Sequence, residues 1–198
     1  RKSREFLNIN DNVRLIGLFR KDGQGWGQGM DPKLIKGPDV FINCMNLLKS
    51  KIPNLQVLLT GPSRGYVKKK LNELKIPYQH HYIKSYQDIQ KFYHALDLYI
   101  IPSREEGGPR ALLESMACGI PLVTTNVGMS IDLVEHQVNG WKVDVEDYEA
   151  LCYWAEHVLK NSNSLNNVLS NARKTAELNS YDSQKILYKK FFQSFIES

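Results

Sequence analysis

The sequence predicts an α/β fold, a Rossmann-like doubly wound parallel sheet with helices on both faces. Segments of strand and helix character alternate along almost the whole chain, which is typical of a parallel sheet with right-handed crossovers. Most strand segments are continuous apolar runs, as expected for strands buried on both faces. The chain has 198 residues, of which 42% are hydrophobic and 24% charged, and this fits one domain with a sizeable core.

Six segments are predicted as strands from their apolar runs and from the turn residues that bound them. In chain order they are Asn12–Phe19, Asn54–Thr60, Tyr78–Ile83, Asp97–Ile101, Pro121–Thr125 and Trp141–Val145. Ligands of such sheets bind outside the carboxyl ends of the strands. Those ends would bring four residues to one edge, namely Arg20, Gly61, Ile83 and Ser103.

Seven segments show helical periodicity. They are Pro38–Lys51, Tyr66–Lys75, Tyr86–Leu96, Pro109–Cys118, Asp147–Lys160, Leu165–Leu178 and Ser183–Glu197. The last one carries an apolar stripe at helical spacing, formed by Leu187, Phe191, Phe192, Phe195 and Ile196. This stripe predicts either simple packing or a helix that packs on a domain outside this chain, where it would otherwise be exposed and favour self-association.

Composition limits the partners. The net charge of +5 agrees with an anionic ligand. The densest basic cluster, Lys68-Lys69-Lys70, lacks the interleaved aromatic residues of a nucleic-acid surface, so we interpret it as a solvated helix face and expect no nucleic acid as a partner. No apolar run approaches the ~20 residues of a membrane span. Because residue 1 is Arg, we expect the chain to be a fragment of a longer protein.

The sequence predicts neither a metal site nor a cofactor. Cys44, Cys118 and Cys152 are odd in number and form no C-x-x-C pair, so we expect buried, reduced thiols in a cytoplasmic protein. His80 and His81 are adjacent in a predicted strand, point to opposite faces and cannot chelate one metal together.

The most informative segment is Ser103–Pro121, which lies between two apolar runs. It holds Glu106 and Glu114 with seven residues between them, among them Gly107, Gly108 and Pro109. Proline at the first helical position loses no hydrogen bond, and glycines let a ligand approach the backbone closely. Three free N–H groups would point out of this helix end and form an anion site with the dipole, those of Arg110, Ala111 and Leu112. The segment suits an anionic, polyhydroxylated ligand such as a nucleotide sugar.

Each acid has an alternative interpretation. Glu114 lies four residues after Arg110, so the two side chains could form an ion pair on the helix surface. That pair has the weaker orientation and places a cation in the first turn, so we favour an acid that accepts hydrogen bonds from ribose. Glu106 could be an acid favoured by the helix dipole or a carboxylate near the transferred sugar. Glu105 would leave eight residues before Glu114 instead of seven.

These residues resemble the donor-binding, C-terminal domain of retaining glycosyltransferases of the glycogen-synthase-like class, family 4, which have the GT-B fold. The resemblance covers about residues 13–153. It rests on the spaced acids together with three further motifs in their expected places. These are Lys36-Gly37, Gly119-Ile120-Pro121 and Asn139-Gly140.

The resemblance implies a role for each site residue. Glu114 would bind the nucleotide ribose, and Glu106 would lie against the donor sugar with the amides near Gly107 and Gly108. Lys36 and either Arg20 or Lys21 would contact the diphosphate and stabilise its departure without a metal. The base would lie near the main chain of Tyr82 and Ile83, beside Gly61.

The chain departs from the family pattern in two respects. The loop Asp22–Met30, DGQGWGQGM, is longer than usual and is interpreted either as a floppy loop or as a lid with Trp26 at its tip. The acceptor-binding domain is missing, so we expect the isolated chain, a single domain over residues 1–198, to bind the donor weakly and turn over little.

A glycan or lipid-linked acceptor would bind through that absent domain. Bacterial polysaccharide assembly is the implied setting, in the cytoplasm and with peripheral membrane contact at the inner face as a further expectation. Two other functions stay open: a non-catalytic nucleotide-sugar-binding module and a nucleotide-sugar epimerase.

Overall fold

The computed structural model describes residues 2–196, except for the side chains of Ser194 and Ile196. Six strands form one sheet in which all neighbouring strands are parallel. They are β1 Arg14–Leu18, β2 Leu55–Thr60, β3 Tyr78–His81, β4 Leu98–Ile101, β5 Leu122–Thr125 and β6 Trp141–Val143. Their order across the sheet is β3-β2-β1-β4-β5-β6. The predicted doubly wound fold is confirmed.

Helices follow most strands. Within residues 2–196 they are α1 Lys2–Phe6, α2 Pro38–Lys49, α3 Gly65–Glu73, α4 Ile89–Tyr93, α5 Arg110–Ala117, α6 Met129–Leu133, α7 Tyr148–Lys160, α8 Asn166–Leu178 and α9 Tyr181–Ile196. Short 3-10 helices cover Leu34–Lys36, Tyr86–Asp88 and Ser162–Ser164. Neither α1 nor α6 was predicted from the sequence, because five residues are too few to show helical periodicity.

The sheet separates two hydrophobic cores. Successive side chains of a strand point to opposite faces, so Ile16 and Leu18 of β1 enter one core and Leu15 enters the other. The first core receives α2, α3 and α7, and the second receives α4, α5 and α8 together with Leu7 and Ile9, which follow α1. This double burial is the physical reason why most strands read as apolar runs, whereas the half-buried edge strand β3, YQHH, does not.

Most predicted elements begin or end one or two residues away from the observed bounds, and two differences lie close to the predicted site. The third strand ends at His81 rather than Ile83. His81 pairs with Thr60, which is the last residue of β2, so no neighbouring strand continues beyond it. The predicted helix over 86–96 is a 3-10 turn followed by the single-turn helix α4.

The chain order places a topological switch point between β1 and β4. From β1 the chain moves outward to β2 and β3, then returns to pair β4 with the opposite side of β1. Arg20 follows β1, and Ser103 follows β4, at the adjacent carboxyl ends where such sheets bind ligands.

The C-terminal helix presents most of its predicted stripe to solvent. Leu187, Phe191, Phe192 and Phe195 are between 56% and 66% exposed, whereas the Ile196 side chain and Glu197 lie outside the described residues. Its packing on a further domain stays a prediction. In residues 2–196 no helix combines the length and the apolar character needed to cross a membrane.

The three cysteines are free thiols. Cys44 and Cys152 are buried as predicted, but Cys118 is only half-buried, because it caps α5 at the surface.

Candidate active site

Glu106 lies at the switch point between two cations. Its Oε1 accepts hydrogen bonds from Nη1 of Arg20 at 2.8 Å and from Oγ of Ser103 at 3.0 Å. Its Oε2 accepts one from Nζ of Lys36 at 2.7 Å. Only 10% of the side-chain surface of Glu106 and of Arg20 is exposed. The structure therefore brings together three residues that are far apart in sequence.

The two cations keep Glu106 ionised. Burial alone would raise the pKa of its carboxyl group, but the charge of Arg20 and the hydrogen bond from Lys36 outweigh burial and lower that pKa. At neutral pH the cluster carries two positive charges and one negative charge. The cluster therefore has a net positive charge at the edge of the sheet where a diphosphate could bind.

Lys36 is positioned by the loop that carries Glu106. The N–H groups of Arg104 and Glu105 both donate to the carbonyl oxygen of Ile35, at 2.9 and 3.2 Å. The next residue, Gly37, has φ +64°, and a Cβ there would lie 1.8 Å from the carbonyl oxygen of Pro102. Only glycine permits this close approach of the two segments.

The Arg104 side chain ties the same segments together from outside the site. Its guanidinium donates to both carboxylate oxygens of Asp39 at 2.8 Å, to the carbonyl oxygen of Leu34 at 2.6 Å and to Glu146. Burial would raise the pKa of Asp39, but the hydrogen bond and charge of Arg104 outweigh it and lower that pKa.

Replacing Arg104 with Met is expected to lower the free energy of unfolding by about 1 kcal/mol at neutral pH, since the network is partly exposed. The folded state lowers the pKa of Asp39 below 3.8, so its contribution is complete above that pH and is lost as the pH falls through the lowered value. Urea unfolding at neutral and acidic pH measures both effects. Lys70→Met, which removes a pair with Glu73 whose two side chains are both more than a third exposed, is the control. An equal loss of unfolding free energy from Arg104→Met and Lys70→Met would contradict the role assigned to Arg104.

Glu114 is held by two tyrosines. Its Oε2 accepts a hydrogen bond from the hydroxyl of Tyr93 at 2.9 Å, and its Oε1 accepts one from the hydroxyl of Tyr86. Burial, followed by the hydrogen bond to Glu114, raises the pKa of Tyr86 to about 12, so this hydroxyl stays a donor at neutral pH. Within residues 2–196 Glu114 forms no ion pair with Arg110, so the alternative interpretation of an exposed helix pair finds no support.

The start of α5 differs from the prediction in one respect. Pro109 precedes the first helical residue and has an extended backbone. The N–H of Leu112 donates to the carbonyl oxygen of Pro109 at 2.9 Å, and the Leu112 side chain is buried, so this amide is not free for an anion as predicted. The N–H groups of Arg110 and Ala111 have no such partner among the described residues.

The glycine turn before α5 is closed by a residue that was not predicted from the sequence. Gly128 has φ +49°, and a Cβ there would lie 2.1 Å from the carbonyl oxygen of Glu106. The neighbouring N–H of Met129 donates to the carbonyl oxygen of Gly107 at 3.1 Å. Gly107 and Gly108 themselves remain exposed.

The predicted base region lies beyond β2 and β3. Gly61 has φ +80°, and its carbonyl oxygen lies 2.7 Å from Nε2 of His80. Tyr82 is 69% exposed, and Ile83 is half-buried against the second core. A cleft of about 690 Å³ beside Tyr82 is lined by His80 and by Lys68 and Lys69 of α3.

The glycine-rich loop forms a hydrogen-bonded hairpin. Gly23 and Pro32 pair as an antiparallel bridge, and the N–H of Gln24 donates to the carbonyl oxygen of Asp31 at 2.8 Å. The returning arm receives N–H groups of α3, with Gly65 donating to Gln28 at 2.7 Å. We name residues 22–32 the inserted hairpin. These hydrogen bonds disfavour the interpretation of Asp22–Met30 as a floppy loop.

Lys21 and Trp26 pair with each other. Nζ of Lys21 lies 3.9 Å from the centre of the Trp26 ring, a cation–π contact. The Lys21 ammonium is thus directed to the hairpin tip, whereas Arg20 is directed to Glu106.

A buried ion pair anchors the inserted hairpin. Oδ2 of Asp22 lies 3.2 Å from Nη2 of Arg64, and neither side chain is exposed. The same Nη2 donates to the carbonyl oxygen of Leu18 at 2.8 Å. Burial outweighs the charges of Arg64 and Arg20 and raises the pKa of Asp22 to about 6.

Several residues at the site were not predicted from the sequence. Tyr86 and Tyr93 are seven residues apart, a spacing that would have placed both hydroxyls on one face of the predicted helix. No comparable signal pointed to Arg64, since arginine is rarely fully buried. Among residues 2–196, no three His, Cys, Asp or Glu side chains are placed to hold a metal ion, and the absence of a cofactor stays a prediction.

Comparison with known proteins identifies a matching family and related proteins. Residues 32–175 match the family model described as glycosyl transferases group 1. A capsular polysaccharide biosynthesis glycosyltransferase of Staphylococcus aureus, CapM, is 25% identical over 193 residues, which cover 93% of this chain and 46% of CapM. The chain spans half or less of the length of the first curated relatives it matches.

Solved structures share the fold. HepE of Anabaena, crystallised with UDP and glucose, has a TM-score of 0.78 and 22% identity, covering 100% of this chain and 52% of HepE. The C-terminal domain of a glycosyl transferase group 1 protein, LpcC of Francisella tularensis, has a TM-score of 0.71 and 17% identity. That match covers 89% of this chain and 90% of the crystallised domain.

Proposed function

Since the chain belongs to the glycosyl transferases group 1 family and has the fold of a GT-B C-terminal domain, we propose that it is the donor-binding half of a retaining, family 4 glycosyltransferase. The whole enzyme moves a hexosyl unit from a nucleotide diphosphate sugar to an acceptor hydroxyl. The observation that carries the proposal is the position of Glu106 between Arg20 and Lys36 at the switch point, shortly before the start of α5.

The two cations suit a departing diphosphate. Negative charge grows on the leaving phosphate oxygens as the glycosidic bond breaks, and preorganised positive groups stabilise that charge most. Arg20 and Lys36 are fixed by Glu106 before the ligand arrives, so little reorganisation is needed. With the free N–H groups of Arg110 and Ala111, they supply the positive charge that a metal ion gives in other transferases, and we propose a metal-independent reaction.

Glu114 suits the ribose. The buried Tyr93 orients its carboxylate by donating to Oε2. The more exposed Tyr86 donates to the other oxygen, Oε1. Ribose hydroxyls would replace the Tyr86 hydroxyl as donors. The base would then extend towards Tyr82, Ile83 and Gly61. A nucleotide ligand agrees with the presence of UDP in the crystal structure of HepE, which shares this fold.

The two tyrosines should act in opposite directions on nucleotide affinity. Tyr86→Phe removes a donor that competes with ribose, so UDP or GDP should bind about 2–5-fold more tightly. Tyr93→Phe leaves one oxygen of Glu114 without its buried donor, so binding should weaken by a similar factor. Calorimetric titration measures both. Weaker binding from both variants would show that Tyr86 contributes to the bound state instead of competing with ribose.

The acceptor belongs to the half that this chain does not contain. We propose a glycan or lipid-linked acceptor, bound at the cytoplasmic side of the membrane. The capsular polysaccharide relative supports the setting in polysaccharide synthesis. Catalysis in a two-walled cleft needs both walls, so the 198-residue chain alone should bind the donor weakly and transfer little sugar.

The test uses the protein with both halves, a nucleotide sugar, and a reaction run with and without acceptor. We expect transfer only when acceptor is present, and a product whose anomeric configuration, read by NMR, equals that of the donor. An inverted product would refute retention. A sugar isomerised without acceptor would identify an epimerase, and binding without any transfer would identify a non-catalytic module.

A further inference from the structure

The inserted hairpin forms one wall of the cleft beside Tyr82. This cleft, about 690 Å³ in volume, is lined by α3, by the edge strand β3, and by Gln28 and Met30 of the hairpin. The hairpin and α3 are in direct contact at Gly65, where a Cβ would lie 2.6 Å from the carbonyl oxygen of Gln28 and 2.7 Å from Sδ of Met30. Only glycine permits this close approach, which fixes the hairpin beside the start of α3.

Lys68 offers a hydrogen-bond donor to this cleft. It lies one turn after the start of α3 and lines the cleft together with His80 of β3, and its charge is close enough to lower the pKa of His80. Lys68 is half-buried, and within residues 2–196 it forms no ion pair with a carboxylate. A half-buried ammonium without an acid is stabilised by a ligand that supplies an acceptor.

His80 offers an acceptor. Its Nε2 lies 2.7 Å from the carbonyl oxygen of Gly61, which can only accept, so Nε2 carries the proton of the neutral ring. Burial, together with the charges of Lys68 and Arg64, outweighs the hydrogen bond to Gly61 and lowers the pKa of His80, so the ring is neutral at pH 7. Nδ1 of the neutral ring is then an acceptor. The cleft thus combines a donor with an acceptor.

Two further side chains of the cleft suit a flat ring. Met30 and Tyr82 both line it and are 49% and 69% exposed. The Tyr82 ring lies 4.9 Å from the ring of His80, centre to centre, so it stands beside the acceptor. A planar base that contacts a thioether and an aromatic ring covers apolar surface of both.

We propose that this cleft reads the nucleobase of the donor and selects a keto base, in which a carbonyl oxygen stands next to a ring N–H. The inference rests on the proposed function, which directs the base from the ribose at Glu114 towards Tyr82 and Gly61. Lys68 donates to the carbonyl oxygen of the base, and Nδ1 of His80 accepts from its ring N–H. Guanine and uracil both present this pair.

Adenine and cytosine present the opposite pair, an amino group next to a bare ring nitrogen. Their amino group would meet the Lys68 ammonium, and their ring nitrogen would meet a second acceptor on His80. Both protein groups would then lose water without gaining a partner, and a polar site rejects a close analogue most strongly in that situation. The cleft therefore separates keto bases from amino bases.

The test is calorimetric titration of the 198-residue chain with two pairs of nucleotides, GDP with ADP and UDP with CDP. In at least one pair the keto member should bind about tenfold or more tightly than the amino member, and that pair identifies the base as a purine or a pyrimidine. Lys68→Met should reduce the ratio of the two affinities to about threefold or less, and so should His80→Phe, which keeps an aromatic ring. The ratio is diagnostic, because a lost positive charge weakens both members of a pair alike.

Lys70→Met is the matched control, because Lys70 belongs to the same helix but pairs with Glu73 at 2.7 Å and does not line the cleft. It should leave the ratio unchanged. Equal affinity for keto and amino bases, preference for an amino base, or an undiminished ratio in Lys68→Met would overturn the inference and leave the donor site intact. If none of the four nucleotides binds, the proposed function fails and the inference fails with it.

Discussion

Replacing Glu106 with Gln is expected to slow sugar transfer by about 100-fold or more in the protein that carries both halves. The substitution keeps the shape of the side chain but removes the charge that fixes Arg20 and Lys36. Both cations would then lose their preorganised positions, and the negative charge near the sugar would be lost. Initial rates at saturating donor and acceptor measure the effect.

The same substitution should not weaken binding of the nucleoside diphosphate. Removing a negative charge beside the phosphate site makes that site more positive, so UDP or GDP should bind equally well or more tightly. Glu105→Gln is the matched control, because Glu105 is exposed and lies outside the cluster of Glu106 with its two cations, and it should leave both readouts unchanged. Equal losses of transfer and of nucleotide binding in Glu106→Gln would contradict this role.

Replacing Arg64 with Met should destabilise the fold by roughly 3–5 kcal/mol, because it leaves the buried carboxylate of Asp22 without its cation. The thermal midpoint should fall by roughly 10 °C. Since the inserted hairpin is anchored through Asp22 and through its hydrogen bonds to Ser63 and the start of α3, its amides should lose protection from hydrogen exchange first.

The pH dependence of the stability loss in Arg64→Met shows whether the unpaired carboxylate of Asp22 causes it. The folded state raises the pKa of Asp22 from 3.8 to about 6, so the native state binds the proton more readily, and this group makes stability fall as the pH rises across that window. Without Arg64 the pKa should rise further, so the destabilisation should be larger above about 6 than below it. Urea unfolding of wild type and Arg64→Met, at one pH above about 6 and one below it, measures this difference in stability. The double variant Asp22→Asn, Arg64→Met should recover part of the stability and lose the pH dependence; a pH-independent loss in Arg64→Met would contradict the account.

The sheet could be predicted from sequence because its strands are buried on both faces and therefore read as apolar runs. The confirmed fold places the predicted Arg20, Lys36 and Glu106 within hydrogen-bonding distance. That contact depends on crossover topology, whereas the resemblance to a known family implied only that the three residues belong to one donor site.

Other features depend on tertiary packing that one sequence does not display. The inserted hairpin has no strand-like pattern of its own and is ordered by Ser63 and Arg64, which follow a different strand. Leu112 was predicted to offer a free amide, but the 3-10 hydrogen bond to Pro109 at the helix start removes it. Tyr86 and Tyr93 were assigned to one helix, whereas they belong to a 3-10 turn and to α4, and both hydroxyls donate to Glu114.

The most direct test of the central claim is calorimetric titration of this chain with UDP and with GDP, in wild type and in Glu114→Ala. We expect one nucleotide to bind the wild type, and the binding to be lost in Glu114→Ala while Glu105→Ala retains it. Circular dichroism confirms that each variant is folded. Failure of both nucleotides to bind the folded wild type at millimolar concentration, or equal binding by Glu114→Ala, would contradict a donor site at the switch point.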